Sequence, residues 1–126
     1  MARRAVDAPS GAAVGPYSHA VRARSVVFLS GQTPIDPATG KLAEGGIAEQ
    51  VHQCFANLGA VLQAAGLGFE HVVKANVFLT DMNDFAAMNE VYKTYFALPY
   101  PARTTIGVAS LPRNATVEIE MIAEEP

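Results

Sequence analysis

Residues 99–123 read PYPARTTIGVASLPRNATVEIEMIA, and the reading of this stretch decides how the sheet is built. Thr104 to Val108 is short and rich in β-branched residues. Thr116 to Ala123 alternates strictly: Val117, Ile119, Met121 and Ala123 point one way, and Glu118, Glu120 and Ile122 the other. Period-two alternation marks a strand with one buried face. Leu111-Pro112-Arg113-Asn114 between them is turn chemistry, with Pro fixing φ and Asn tolerating the left-handed region. The pattern predicts that the two strands form an antiparallel hairpin. In its simplest register, Arg103 at the entrance shares a face with at least one of Glu118 and Glu120. A guanidinium can hold a carboxylate by two parallel hydrogen bonds. A neighbouring carboxylate can accept a proton or orient a water. Together they would suit a small anionic substrate. On the hairpin alone the plainer reading is favoured, a surface ion pair worth about 0–1 kcal/mol.

The chain has 126 residues, half of them hydrophobic, with a net charge of −3. This length predicts a single domain over 1–126 that buries roughly two-thirds of its unfolded surface. The composition is too apolar for disorder. The absence of a basic stripe argues against strong binding to nucleic acid. The single cysteine, Cys54, excludes an internal disulfide and fits a reducing cytoplasm. Arg3-Arg4 is not followed by an apolar segment of the export type, and no apolar run approaches the ~20 residues of a membrane span.

Upstream, residues 1–19 read as an irregular arm with a short strand at Ala2–Val6 and a rigid Gly15-Pro16-Tyr17-Ser18 turn. Tyr17 is readable as a pocket residue or as a rim tyrosine. Val21–Arg24 and Ser25–Ser30 form a hairpin whose apolar Val26–Leu29 run fits a strand covered on both faces. Ser30-Gly31-Gln32 breaks that strand, offering a hydroxyl and a glycine that permits close backbone approach. Thr33–Gly46 is a loop. Ile47–Ala65 carries a helical stripe of Ile47, Val51, Phe55, Leu58, Val61, Leu62 and Ala65, ended by Gly66. Cys54 abuts that stripe as a small buried hydrophobe. Val72–Thr80 is a second central strand, with Val73, Ala75, Val77 and Leu79 on one side. Asp81 or Asn83 caps a helix running to about Phe96, with Asn89 beside its stripe.

The order of elements is α+β: a mixed sheet of about six strands with two helices on one face. Two helices leave the other face bare, to meet water or a neighbouring subunit, and the neighbour is the favoured reading. His19, His52 and His71 lack ligand spacing, and no metal site is read. Phosphate-loop and serine-hydrolase patterns are likewise missing.

Four motifs, in order, carry a likeness over essentially the whole chain: Gly15-Pro16-Tyr17-Ser18; Phe28-Leu29-Ser30-Gly31-Gln32; Asn76 to Met82 through Phe85, Asn89 and Tyr92; and Pro101-Ala102-Arg103 through Val117-Glu118-Ile119. Here the chain resembles the Rid proteins, the reactive intermediate (imine/enamine) deaminases of YjgF type. The resemblance implies a chorismate-mutase-like subunit, a homotrimer with active sites between subunits, and no cofactor. It implies hydrolysis of 2-aminoacrylate or 2-iminopropionate to pyruvate and ammonia. Arg103 would bind the substrate carboxylate, and Glu118 would position or activate water. Tyr17, Ser30, Gly31 and Asn89 would line the pocket. Thr105 stands where the family often has Cys, which leaves its main chain rather than its side chain as the ligand contact. Two rival classes accompany the family: an endoribonuclease or translation inhibitor, and a non-catalytic ligand-binding or chaperone-like trimer.

Overall fold

The computed structural model of the chain describes residues 3–9 and 13–126. In chain order these form β1 (Arg4–Val6), β2 (Ala20–Ala23), β3 (Val26–Gln32), β4 (Ile35–Asp36), β5 (Lys41–Leu42), α1 (Ile47–Ala64), β6 (Val72–Leu79), α2 (Phe85–Tyr92), β7 (Ala102–Gly107) and β8 (Val117–Glu124). Ala2, the expected start of the first strand, lies outside the described residues. The expected 33–46 loop contains a small hairpin, β4 with β5.

The strict alternation of β8 makes it a central strand. Val117, Ile119, Met121 and Ala123 are all buried against the helices. The sheet order is β1-β2-β3-β8-β6-β7. All pairings are antiparallel except β6 with β7, which is parallel. The expected α+β class with two helices on one face of a mixed six-stranded sheet is therefore what the chain adopts. No helix of the described residues is long and apolar enough to cross a membrane.

The expected hairpin does not form. β8 leaves β7 behind and inserts between β3 and β6, so β6 separates the two strands. The physical reason is the crossover: α2 returns the chain so that β7 runs parallel to β6 at the sheet edge. Pro112–Asn114 does form a short 3₁₀ turn, with Arg113 and Asn114 at positive φ, but it joins strands that are not neighbours.

α1 lies across the sheet with Val51, Cys54, Phe55, Leu58, Val61 and Leu62 buried, and Gly66 ends it at φ +78°. Asp81 Oδ1 accepts from the Asn83 amide, capping the 3₁₀ turn that leads into α2. α2 itself ends at Tyr92, and the expected continuation toward Phe96 is a 3₁₀ turn, Lys93–Tyr95. Val73 is half exposed rather than inward, because a register shift between Val72 and Lys74 resets the alternation. Among the described residues the other face of the sheet carries no helix. Phe28 there is 47% exposed and Ile106 45%, so the apolar run of β3 is covered on one face only within the chain.

Candidate active site

Register places the two principal charged groups. Arg103 on β7 stands opposite Ala75 on β6, which stands opposite Met121 on β8. Residues in register project to the same face. Ala75 and Met121 are core residues, so Arg103 is on the helix face. Glu118 stands opposite Phe78, and Glu120 opposite Asn76, on the bare face. The expected sharing of a face by Arg103 and a glutamate is thus corrected: within one chain the sheet lies between them. A hairpin would have set β7 beside β8; the inserted β6 and the register it imposes give Arg103 the opposite parity.

On the helix face, α2 supplies the surroundings of Arg103. Its Nη1 donates to Asn89 Oδ1 at 2.7 Å. Its Cζ lies 4.7 Å from the centre of the Tyr92 ring and 5.5 Å from that of Phe85. Cations over aromatic faces at such distances gain about 0.5–2 kcal/mol, depending on desolvation. Nε and Nη2 have no partner among the described residues. Beside the guanidinium is a cavity of about 440 Å³ lined by Asn89, Tyr92, Lys93, Tyr100, Pro101 and Arg103. Thr105, two residues along the same face of β7, buries a hydroxyl that has no partner among the described residues. Buried orphan donors are rare and ask for a missing partner.

The bare face carries the second group. Between Leu29 and Gln32 the β3–β8 ladder shifts register, which takes Ser30 and Gly31 out of pairing with β8. Gly31 then lies so close to Glu118 that a Cβ there would sit 2.3 Å from Glu118 Oε2. Ser30 is pinned by two bonds to the arm: its hydroxyl donates to Ser18 O at 2.7 Å and its amide to His19 O at 2.9 Å. This ties the turn bearing Tyr17 to the same strand end, while Tyr17 itself is 55% exposed. Burial, and secondarily the Glu120 charge, push the Glu118 carboxyl above the ordinary carboxylate range. Glu120 in turn accepts from Asn76 Nδ2 at 2.9 Å. Cys54 lies beneath, with its thiol donating to Gln32 O at 3.2 Å. Burial first, then Glu118, raises its pKa, so this thiol is a packing group and not a nucleophile.

The anticipated residues therefore fall into two groups: Tyr17, Ser30, Gly31 and Glu118 around one strand end, and Asn89, Arg103 and Thr105 on the other face. Sequence reading missed Phe85 and Tyr92 as neighbours of the guanidinium. Their spacing with Asn89, at i, i+4 and i+7 on α2, was the signal that could have found them.

Fold and site together describe a small α+β protein with a guanidinium beside a cavity and a partly desolvated carboxyl on an uncovered sheet face. The chain belongs to the Rid proteins, whose family model, described as Endoribonuclease L-PSP, matches residues 6–125. A mouse 2-iminobutanoate/2-iminopropanoate deaminase is 52% identical over 112 residues, covering 89% of this chain and 83% of that protein. Among solved structures, YEO7 of yeast superposes with a TM-score of 0.93 at 42% identity, covering 98% of this chain and 99% of that one. TdcF of E. coli, solved with bound serine, gives 0.91 at 38% identity and the same two coverages.

Proposed function

We propose that the chain is a hydrolytic deaminase of 2-imino acids and their enamine tautomers, acting at sites formed between subunits of a homotrimer in the cytoplasm. The observation that carries this is the Arg103 guanidinium, held at Nη1 with its other edge free beside a cavity. A planar fork with a free edge is suited to an acid group. The naming of the mouse relative as an imine deaminase supports the substrate class, and a relative crystallised with serine supports binding of a small amino-acid-like carboxylate.

Arg103 and Glu118 lie on opposite faces of one sheet, so a site using both draws Arg103 from one subunit and Glu118 from the next. The apolar Phe28 and Ile106 on the bare face support a neighbour there. Three subunits rather than two rests on the family resemblance.

The chemistry asks little of the protein. The imine carbon is already electrophilic. Arg103 fixes the carboxylate, with the Thr105 hydroxyl or main chain beside it. Water adds to the carbon, forming the C–O bond, while its proton passes to Glu118. Glu118 returns that proton to the nitrogen, which has taken the C=N π pair, giving a carbinolamine. Glu118 then relays the hydroxyl proton to the amine, the C–N bond breaks as the C=O bond forms, and ammonia leaves with a 2-oxo acid behind. Gly31 allows the substrate and Glu118 to meet closely, and Ser30 and Tyr17 close the pocket. Positioning and general base help are each worth orders of magnitude.

The test is intersubunit complementation. Arg103→Ala and Glu118→Gln are expected to be inactive alone. Co-refolded in equal amounts, they should regain activity at about a quarter of the sites, where each subunit donates its intact residue. Activity in either single variant, or none in the mixture, contradicts the reading. The endoribonuclease description of the family is not carried over. A net charge of −3 supplies little of the phosphate-driven term that RNA binding needs.

A further inference from the structure

Phe85, Asn89 and Tyr92 form one stripe of α2 that converges on Arg103. The bond from Nη1 to Asn89 Oδ1 is short at 2.7 Å, and its acceptor is neutral. A carboxylate at that position would hold the guanidinium as well but would cancel the charge the substrate needs. Tyr92 is 5% exposed, and its ring is wedged edge-on to Phe55 at 5.8 Å and tilted against Phe96 at 4.9 Å. Its hydroxyl has no partner among the described residues, so packing rather than a hydrogen bond fixes the ring. The guanidinium is therefore constrained twice, across its face by the ring and in its plane by the amide. What remains unoccupied is the side-on edge of Nε–H and Nη2–H.

We propose that Asn89 and Tyr92 are positioning residues that preset Arg103 so that its Nε–Nη2 edge is the one offered to the acid group of the substrate. This rests on the acid-clamp reading of Arg103. It reassigns Asn89 from touching the substrate to acting through the arginine. Arginine is rich in rotamers, and a ligand that must order it binds more weakly. A preset fork removes that cost, and in catalysis it fixes the imine carbon relative to the water.

The experiment measures pyruvate binding by ligand-observed NMR, alongside KM and kcat for enzymatically generated imines, with Asn89→Ala, Tyr92→Leu and Tyr92→Phe. Each is made with Arg103 intact and with Arg103→Ala. Asn89→Ala and Tyr92→Leu are each expected to weaken pyruvate by roughly ten-fold, about the worth of one hydrogen bond to a charged group. KM should rise more than kcat falls. Tyr92→Phe keeps the ring face that the guanidinium meets, so it should weaken pyruvate less than Tyr92→Leu does. In the Arg103→Ala background none of the three should weaken pyruvate further, because a residue acting through the arginine has nothing left to act on.

The proposal is overturned if Asn89→Ala binds pyruvate as the parent does. It is equally overturned if either residue still costs several-fold without Arg103, since that residue would then touch the ligand itself. Should Tyr92→Leu not fold, Asn89→Ala decides alone, at a half-exposed helix position where alanine is well tolerated. Parent-like binding by Arg103→Ala alone is a different failure: it removes the clamp on which the inference stands.

Discussion

Gly31→Ala separates stability from chemistry at this site. The backbone of Gly31 is not in the left-handed region, so alanine fits its conformation. The added Cβ would lie 2.3 Å from Glu118 Oε2, 3.0 Å from Cδ and 3.2 Å from Cγ. Ordinary contact is roughly 1 Å longer than the first of these, so the carboxyl group must retreat by about that much. It is the far end of a flexible chain, and moving it off its rotamer costs about 0.5–1.5 kcal/mol. Replacing glycine returns about 0.4–1 kcal/mol by restricting the unfolded chain. The two nearly cancel, and Tm should stay within about 4 °C of the parent. Turnover should not survive so well: displacing a catalytic group by about 1 Å can cost on the order of a hundred-fold. The assay follows 2-oxo acid release while an amino acid oxidase or threonine dehydratase generates the imine, with a thermal melt on the same sample. A variant that melts like the parent and also turns over like it would refute the placing of Glu118 at the reacting carbon.

Four further outcomes are expected. Arg103→Lys keeps a cation but loses the planar fork, so deaminase activity should fall by at least about ten-fold while the oligomer, read by sedimentation, is unchanged. Glu118 must be ionised to act as a base, and burial and then Glu120 raise its pKa, so kcat/KM should fall as pH drops through that raised value. Glu120→Gln removes the second cause and should move this acidic limb to lower pH; a limb that does not move contradicts the assignment. The same shift carries a stability sign. A raised folded pKa contributes stability below the unfolded pKa that is lost as pH rises through the folded value, so Glu118→Gln should gain heat stability over the parent at neutral pH and show no gain in acid. Cys54→Ala opens a small void and loses the bond to Gln32 O, costing about 1 kcal/mol in a denaturant melt with turnover intact.

Local pattern and long-range pairing were not equally legible. The stripe of α1, the alternation of β8 and the glycine at its helix end each follow from neighbours in sequence, and each was read correctly. The pairing of β7 was not, because the turn chemistry at Leu111–Asn114 is the same whether the strands it joins are adjacent or one strand apart. Only the crossover through α2 decides that β7 runs parallel to β6, and no local residue records it. The inward alternation expected of Val73 fails for a related reason: a bulge resets alternation without a signature of its own. At the site, the motifs led to Arg103, Gly31 and Glu118 individually. Their distribution over two faces depends on register across three strands, and a one-residue slip would have reversed it. Asn89 stands out in the sequence as a polar residue beside a stripe, but its partner, 14 residues further on, is set only by the meeting of the helix and the edge strand.

On the proposed intersubunit site, the thickness of a β-sheet would work as a safety interlock. A lone chain would carry two dormant halves of a machine, each harmless and neither able to act on metabolites. On that reading, protection against reactive imines would switch on only above the concentration at which chains find one another.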